Sequence, residues 1–188
     1  MNRQHKPFAI TAKTIGIPQR LFTPLLVVNL RSKYKLAAKY VNALWDTGAA
    51  TCVMSAELAR SLGFDFSHSV PTKSIGHDVV QSSFGYAYVA LVSNGDLIET
   101  VAAVVDESLG DGYSFIIGMD LISKGSLAIS CSPSLTVLSF TIPSAPAIDF
   151  VKDLPDDGIT KSVLELGINN PEDPRVYYGT EVMDLINS

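Results

Sequence analysis

"KYVNALWDTGAATCVMS", residues 39–55, runs as a strand, halts at Asp46-Thr47-Gly48-Ala49 and resumes as a second strand. An acid, a hydroxyl and a glycine inside an apolar run make an ordinary turn, because Asp bonds its own backbone and Gly supplies positive φ. The same residues also hold a carboxylate rigidly at a strand junction, where the small Gly48 lets a substrate or a second copy of the chain approach. Thr47 adds a hydroxyl that can bond neighbouring backbone and fix the loop. One carboxylate alone is a poor catalyst of peptide hydrolysis, which needs a base for water and an acid for the leaving amine. The rest of the chain must decide between a turn and a site.

Outward from this stretch the texture is β. Between about residues 23 and 142, short runs rich in branched and aromatic residues alternate with turn residues, the pattern of an all-β sandwich or barrel. The candidate strands are "PLLVVNL", "KLAAKYVNALW", "AATCVMS", "FGYAYVALV", "DLIETVAAVV", "YSFIIG", "SLAIS" and "LTVLSFTI". Ser93-Asn94-Gly95-Asp96 reads as a hairpin tip and Gly110-Asp111-Gly112 as a loop. One helix interrupts the pattern: in "SAELARSLGF", Ser55 can cap, Leu58 and Leu62 share a face, and Gly63 can end the last turn.

Flanking segments differ in charge. No acid precedes Asp46, whereas Arg3, Lys6, Lys13, Arg20, Arg31, Lys33, Lys35 and Lys39 are basic, and from Asp149 onward acids outnumber bases. Five prolines from Pro143 to Pro174 break the tail into short pieces. The expected organisation is a basic N-terminal extension (1–22), a β domain (23–142) and an acidic, proline-containing tail (143–188).

Composition narrows the function classes. With 47% hydrophobic and 18% charged residues, the 188-residue chain should bury a core rather than remain disordered. A net charge of −5 gives no general reason to expect nucleic acid as a partner. The apolar runs fall far short of the roughly 20 residues needed to span a bilayer, so no membrane is expected. "MNRQHKPFAITAKTIGIPQR" lacks the continuous apolar segment of a secretory leader. Cys52 and Cys131 lie far apart; a single disulfide is one reading, but reduced, buried thiols are favoured, so the expected location is cytoplasmic. His5, His68 and His77 lack metal-ligand spacing, and neither a G-x-S-x-G elbow nor a phosphate-cradling glycine loop occurs. No metal or cofactor is expected. Cys52, close behind the acid, has the apolar neighbours Val53 and Met54, which favours packing over nucleophilic chemistry.

A second segment, "FIIGMDLISKGSLAIS" (115–130), sharpens the reading: two branched apolar residues, Gly118 and a short helical turn would pack close behind the Asp46 loop. By itself it is a buried strand ending at a glycine. Together, "ALWDTGAATCVMS", the following helix "AELARSLGF" and "FIIGMDLI" resemble the retropepsin-like aspartic peptidase family, over about residues 24–142. The resemblance implies a closed β-barrel with one short helix after the catalytic loop and a helical turn after the Ile-Ile-Gly segment. It implies that Asp46 is catalytic, that Thr47 locks two such loops across a dimer axis, and that Gly48, with Ala49, contacts substrate backbone. Ile116, Ile117 and Gly118 would support the loop from behind. The flap would lie at Ile75, Gly76 and His77. Many viral members carry Arg after the later Gly; here Met119-Asp120 follows, so that Arg's ion-pairing role is not carried over.

Asp-Thr-Gly occurs once in the chain, so a second carboxylate would come from another copy. The expected function is an aspartic endopeptidase acting as a homodimer on polypeptide substrates. The alternatives are a catalytically silent module of the same fold that binds peptides or drives assembly, and an unrelated barrel in which Asp46 merely closes a turn.

Overall fold

The β-rich runs fold, among the described residues, as ten strands and three brief helices: β1 (Phe8–Ile15), β2 (Phe22–Asn29), β3 (Ala37–Trp45), β4 (Cys52–Ser55), α1 (Ala56–Ser61), β5 (Ser69–Thr72), β6 (Val80–Ala90), β7 (Ile98–Val105), β8 (Phe115–Ile117), α2 (Met119–Ile122), β9 (Ser126–Cys131), β10 (Leu135–Ile142) and α3 (Phe150–Asp153). The computed structural model describes residues 7–30, 37–65, 69–72, 80–91, 97–105, 109–110, 112–148 and 150–153. The chain divides into two units, Met1–Pro146 and Ala147–Ser188. All elements but α3 lie in the first. No helix among the described residues is long and apolar enough to cross a membrane.

Period-two burial sets the strands. In β10, Thr136, Leu138, Phe140 and Ile142 are buried while the residues between them are not, as a pleated strand with one covered face requires. β2 behaves likewise through Thr23, Leu25 and Val27, then buries Val28 and Asn29 as well.

Six strands form a ring in the order β2-β3-β8-β4-β7-β6, and pairing of β2 with β6 closes it; β5 continues outward from β6. A closed sheet has no unpaired edge of its own. The three-residue β8 has a special place in this ring. It pairs parallel with β3 (Leu44↔Ile116) on one side and antiparallel with β4 (Val53↔Ile116) on the other. The strand before Asp46 and the strand after it are therefore registered on the same three residues.

A second sheet, β1-β10-β9, is antiparallel and packs on the ring. Phe140 of β10 meets Trp45 of β3 with ring centroids 5.1 Å apart, and the Trp45 indole N–H donates to Thr23 Oγ1 at 2.9 Å. Leu138 and Phe140 are buried in one core with Leu25, Met54, Phe115 and Ile117. Each such side chain contributes about 1.5–3 kcal/mol by leaving water.

The helix after the loop forms as its sequence indicates. Ser55 Oγ accepts from Leu58 N at 3.2 Å. Beyond the last turn Gly63 takes φ +66°, and Gly63 N and Phe64 N donate to Arg60 O and Ala59 O, the paired bonds that close a helix through a left-handed glycine.

Two strands were absent from the sequence expectation. β5 is one. β1 is the other, inside the 1–22 segment expected as an extension; it pairs along its whole length with β10, from Phe8↔Ile142 to Ile15↔Leu135. The hairpin tip expected at residues 93–96 lies outside the described residues, as does the tail beyond residue 153.

Candidate active site

The ring holds the chain at Asp46 from both sides. Trp45 N donates to Leu21 O and Asp46 N to Ile117 O, each at 3.0 Å, so the residue is held at the last rung of the β3–β8 pairing. The chain then leaves the ladder. Gly48 N donates to Asp46 Oδ1 at 2.8 Å, and Ala49 N to Asp46 O at 3.3 Å. This is an acid bonding the backbone two residues on, the turn chemistry expected of Asp. It also orients the carboxylate. Asp46 is half-buried, with Thr47 and Gly48 exposed beside it, so a rigidly held carboxylate faces a surface that another molecule can reach.

On the outgoing side the loop is tied to the segment after β8. Met119 N donates to Ala49 O at 2.8 Å and Asp120 N to Ala50 O at 3.2 Å. Gly118 lies flat against the loop: a Cβ there would meet the carbonyl carbon and oxygen of Thr51 at 2.4 Å and Cys52 N at 2.9 Å. Its φ of −95° is open to any residue, so glycine is required here for space and not for conformation. Ile117 is fully buried and Ile116 half-buried. The structure thus gathers Asp46, Thr47, Gly48 and Ala49 in one loop, with Ile116, Ile117 and Gly118 directly behind it.

The same side holds a residue that sequence reasoning did not single out. Asp120 Oδ1 accepts from Cys52 N at 2.8 Å, while Oδ2 accepts from Val101 N at 3.1 Å and from the Thr100 hydroxyl. A carboxylate with three donors around it joins α2, β4 and β7 immediately below the loop.

Residues 32–124 match the family described as "gag-polyprotein putative aspartyl protease". Through this segment, just under half of its length, the chain is similar to the retropepsin-like aspartic peptidases. Its fold, a closed β-barrel with a short helix after the Asp46 loop and a helical turn after Ile-Ile-Gly, is the retropepsin-like one. Solved structures similar to it include a retropepsin-like aspartic protease from Rickettsia conorii, 17% identical, covering 76% of this chain and 98% of that one, with a TM-score of 0.45. EIAV protease in complex with the inhibitor HBY-793 is 21% identical, with 58% and 91% of the two chains covered and a TM-score of 0.38. The retroviral protease-like domain of Ddi1 from Leishmania major is 15% identical, with 60% and 82% covered and a TM-score of 0.36. No curated protein sequence matches the chain.

Just beyond the Asp46 loop Cys52 is fully buried. Burial pushes its thiol up to about 12, against the opposing hydrogen bonds from Thr100 and Gly118. It is a neutral packing group at pH 7, since the thiolate and not the thiol is the nucleophile. The expectation of two buried thiols is corrected for Cys131: both cysteines are free, but Cys131 is exposed, because the end of β9 extends past the core. The flap positions Ile75, Gly76 and His77 lie outside the described residues. The strands on either side, β5 and β6, pair antiparallel as far as Thr72↔Val80.

Asp120 carried one weak signal, its place in the first turn after Gly118. That spacing alone reads as a solvent-facing helix residue. Its partners Thr100 and Val101 are about twenty positions away in sequence, and only barrel closure brings them together.

Proposed function

We propose that the protein is an aspartic endopeptidase that acts as a homodimer, each subunit contributing Asp46. One observation carries the reading: a half-buried carboxylate, oriented by Gly48 N at 2.8 Å, on a loop anchored from both sides to β8 and the residues after it. Aspartic peptidases are a known case of two carboxylates sharing one proton. Two like charges at such close range do not both ionise cheaply, so the pair titrates as a unit. The ionised member takes a proton from water as it attacks the scissile carbonyl carbon. The protonated member donates to the carbonyl oxygen.

The second carboxylate comes from a second copy. The sequence holds one Asp-Thr-Gly, and Asp120, just below the loop, already has three donors. A two-fold axis beside the exposed Thr47 and Gly48 places two loops face to face with no further residue needed. An extended polypeptide would lie across them, with backbone hydrogen bonds fixing its register and alternate side chains filling pockets. Two unpaired cysteines fit a reducing compartment, the cytoplasm.

The test is cleavage of an unstructured protein by the wild type and by Asp46→Asn. Asn keeps the shape and can still accept from Gly48 N, but it cannot act as a base. We expect activity to fall by at least about a thousandfold with the melting temperature little changed. Equal cleavage by a folded Asn variant overturns the assignment. A wild type that binds peptides without cutting them points to the silent module.

A further inference from the structure

We propose that Asp120 is a positioning residue for Asp46: its carboxylate replaces the ladder rung that is missing where β4 begins, and so holds the outgoing side of the catalytic loop in place. This rests on the peptidase reading for its catalytic consequence, but not for its structural content.

The ladder shows the need. β4 starts at Cys52, which is paired with Ala102 of β7, and its pairing with β8 starts one residue later, at Val53. Residues 47–51 lie outside every strand. Where β4 gives out, Cys52 N and Val101 N would have no strand partner to accept from them, and a backbone donor taken from water without an acceptor is costly. One carboxylate serves both. Oδ1 takes Cys52 N at 2.8 Å, and Oδ2 takes Val101 N at 3.1 Å together with the Thr100 hydroxyl. Thr100 lies on β7 and is buried, so its hydroxyl meets Asp120 away from water.

The backbone of the same residue acts in the same direction. Asp120 N donates to Ala50 O, and its neighbour Met119 N to Ala49 O. Three backbone groups between Ala49 and Cys52 are therefore fastened to two consecutive residues, of which Asp120 is in turn fastened to β7. On the other side, Asp46 N is fastened to Ile117 O. The catalytic loop hangs between these two ties, and three residues separate Ala50 from Asp46. Loosening the outgoing tie lets the loop move as a unit, and a displacement near 1 Å in a catalytic group can cost a hundredfold in rate.

Asp120→Ala and Asp120→Asn separate positioning from mere stability. Asn retains one acceptor for Cys52 N but places a donor where Val101 N and the Thr100 hydroxyl need an acceptor, so it should restore part of the function. Each variant is measured well below its melting temperature. We expect kcat to fall by about tenfold to a hundredfold for Asp120→Ala with KM within about twofold, and Asp120→Asn to lie between it and wild type. Amide hydrogen exchange supplies a readout that needs no catalysis. The amides of Met119 and Asp46 should exchange at least about tenfold faster in Asp120→Ala, while amides of β10 stay near wild type. If Asp120→Ala does not fold, Asp120→Asn and Thr100→Val are read by the same two measurements. Wild-type kcat in a variant, or exchange at Met119 and Asp46 that rises no more than in β10, overturns the proposal. If the wild-type protein cleaves nothing, the peptidase reading fails separately, and the exchange pattern alone decides whether Asp120 holds the loop.

Discussion

The six-strand ring and the three-stranded sheet are built from similar residues yet solve different problems. In the ring, every strand has a neighbour on both sides, and the strands leading into and out of the Asp46 loop share β8 as a common reference. In the open sheet, β1 and β9 are edges among the described residues, and apolar side chains are left in water: Ile15 is 91% exposed and Ile129 47%. Closure makes the ring suited to store the geometry of a site. The open sheet is anchored to the core by one face only, through Leu138, Phe140 and Ile142. The lesson is that precision in this protein sits where the backbone has the fewest alternatives.

The sharpest way to break that contrast is Phe140→Ala. Phe140 is 1% exposed and packs on Trp45 of the ring and Phe8 of β1. Its removal should cost about 3–5 kcal/mol, the lost transfer energy plus a cavity. Chemical denaturation measures the total, and hydrogen exchange shows its distribution. Protection should fall first in β1, β9 and β10, with amides of β4 and β8 losing less. An equal loss everywhere would mean that the two sheets unfold as one, and that the contrast holds only in geometry.

The same contrast governs what the sequence discloses. β10 is plain in the sequence because one face is more covered than the other, which writes alternation into its second half, Leu138-Ser139-Phe140-Thr141-Ile142. β1 shows only a diluted version: Phe8, Ile10 and Ala12 are half-buried and Lys13 and Thr14 are exposed, since an edge strand needs little apolar surface. The loop, the cap at Ser55 and the glycine at Gly63 were legible because each is local chemistry between residues a few positions apart. The structure gathers Ile117 and Gly118 behind Asp46 as the "FIIG" segment suggests, although nothing in that segment specifies its register against two strands. Asp120 was not legible, because its role exists only once β7 is beside it. What the sequence conceals is chiefly long-range and polar: single hydrogen-bonding groups that satisfy strand ends and leave no periodic trace.

Gly118→Ala tests the ring at its tightest point. A methyl group there would stand 2.4 Å from the Thr51 carbonyl, and the obstacle is backbone and not a side chain that can swing aside. Overpacking of this kind costs about 1–3 kcal/mol, less than Phe140→Ala. Because the displaced segment is the outgoing side of the loop, activity should fall further than stability predicts. A variant with normal stability and normal turnover would show that the loop yields there without consequence, and that ring closure constrains the site less than the geometry implies.

The smallest effect at neutral pH comes from the two thiols, one in each region. Cys52 lies inside the ring and Cys131 on the exposed end of β9. A thiol reagent at pH 7.5 should modify Cys131 rapidly and Cys52 only as the protein opens, so the two rates compare the open sheet with the closed ring directly. Stability follows from the same burial. The Cys52 thiol is pushed up from 9.0 to about 12 by desolvation, so the folded state binds its proton more tightly than the unfolded chain does. The resulting stability is fully present below pH 9 and is lost as pH rises from about 9 toward 12. Cys52→Ala should therefore remove part of the alkaline loss, on top of a pH-independent cost for the smaller side chain. Denaturation midpoints at pH 7, 9 and 10.5 for the wild type and this variant measure this. A wild-type limb unchanged by Cys52→Ala would mean that the ring admits hydroxide or water to that thiol before it unfolds, and that closure of the barrel does not seal the core behind the Asp46 loop.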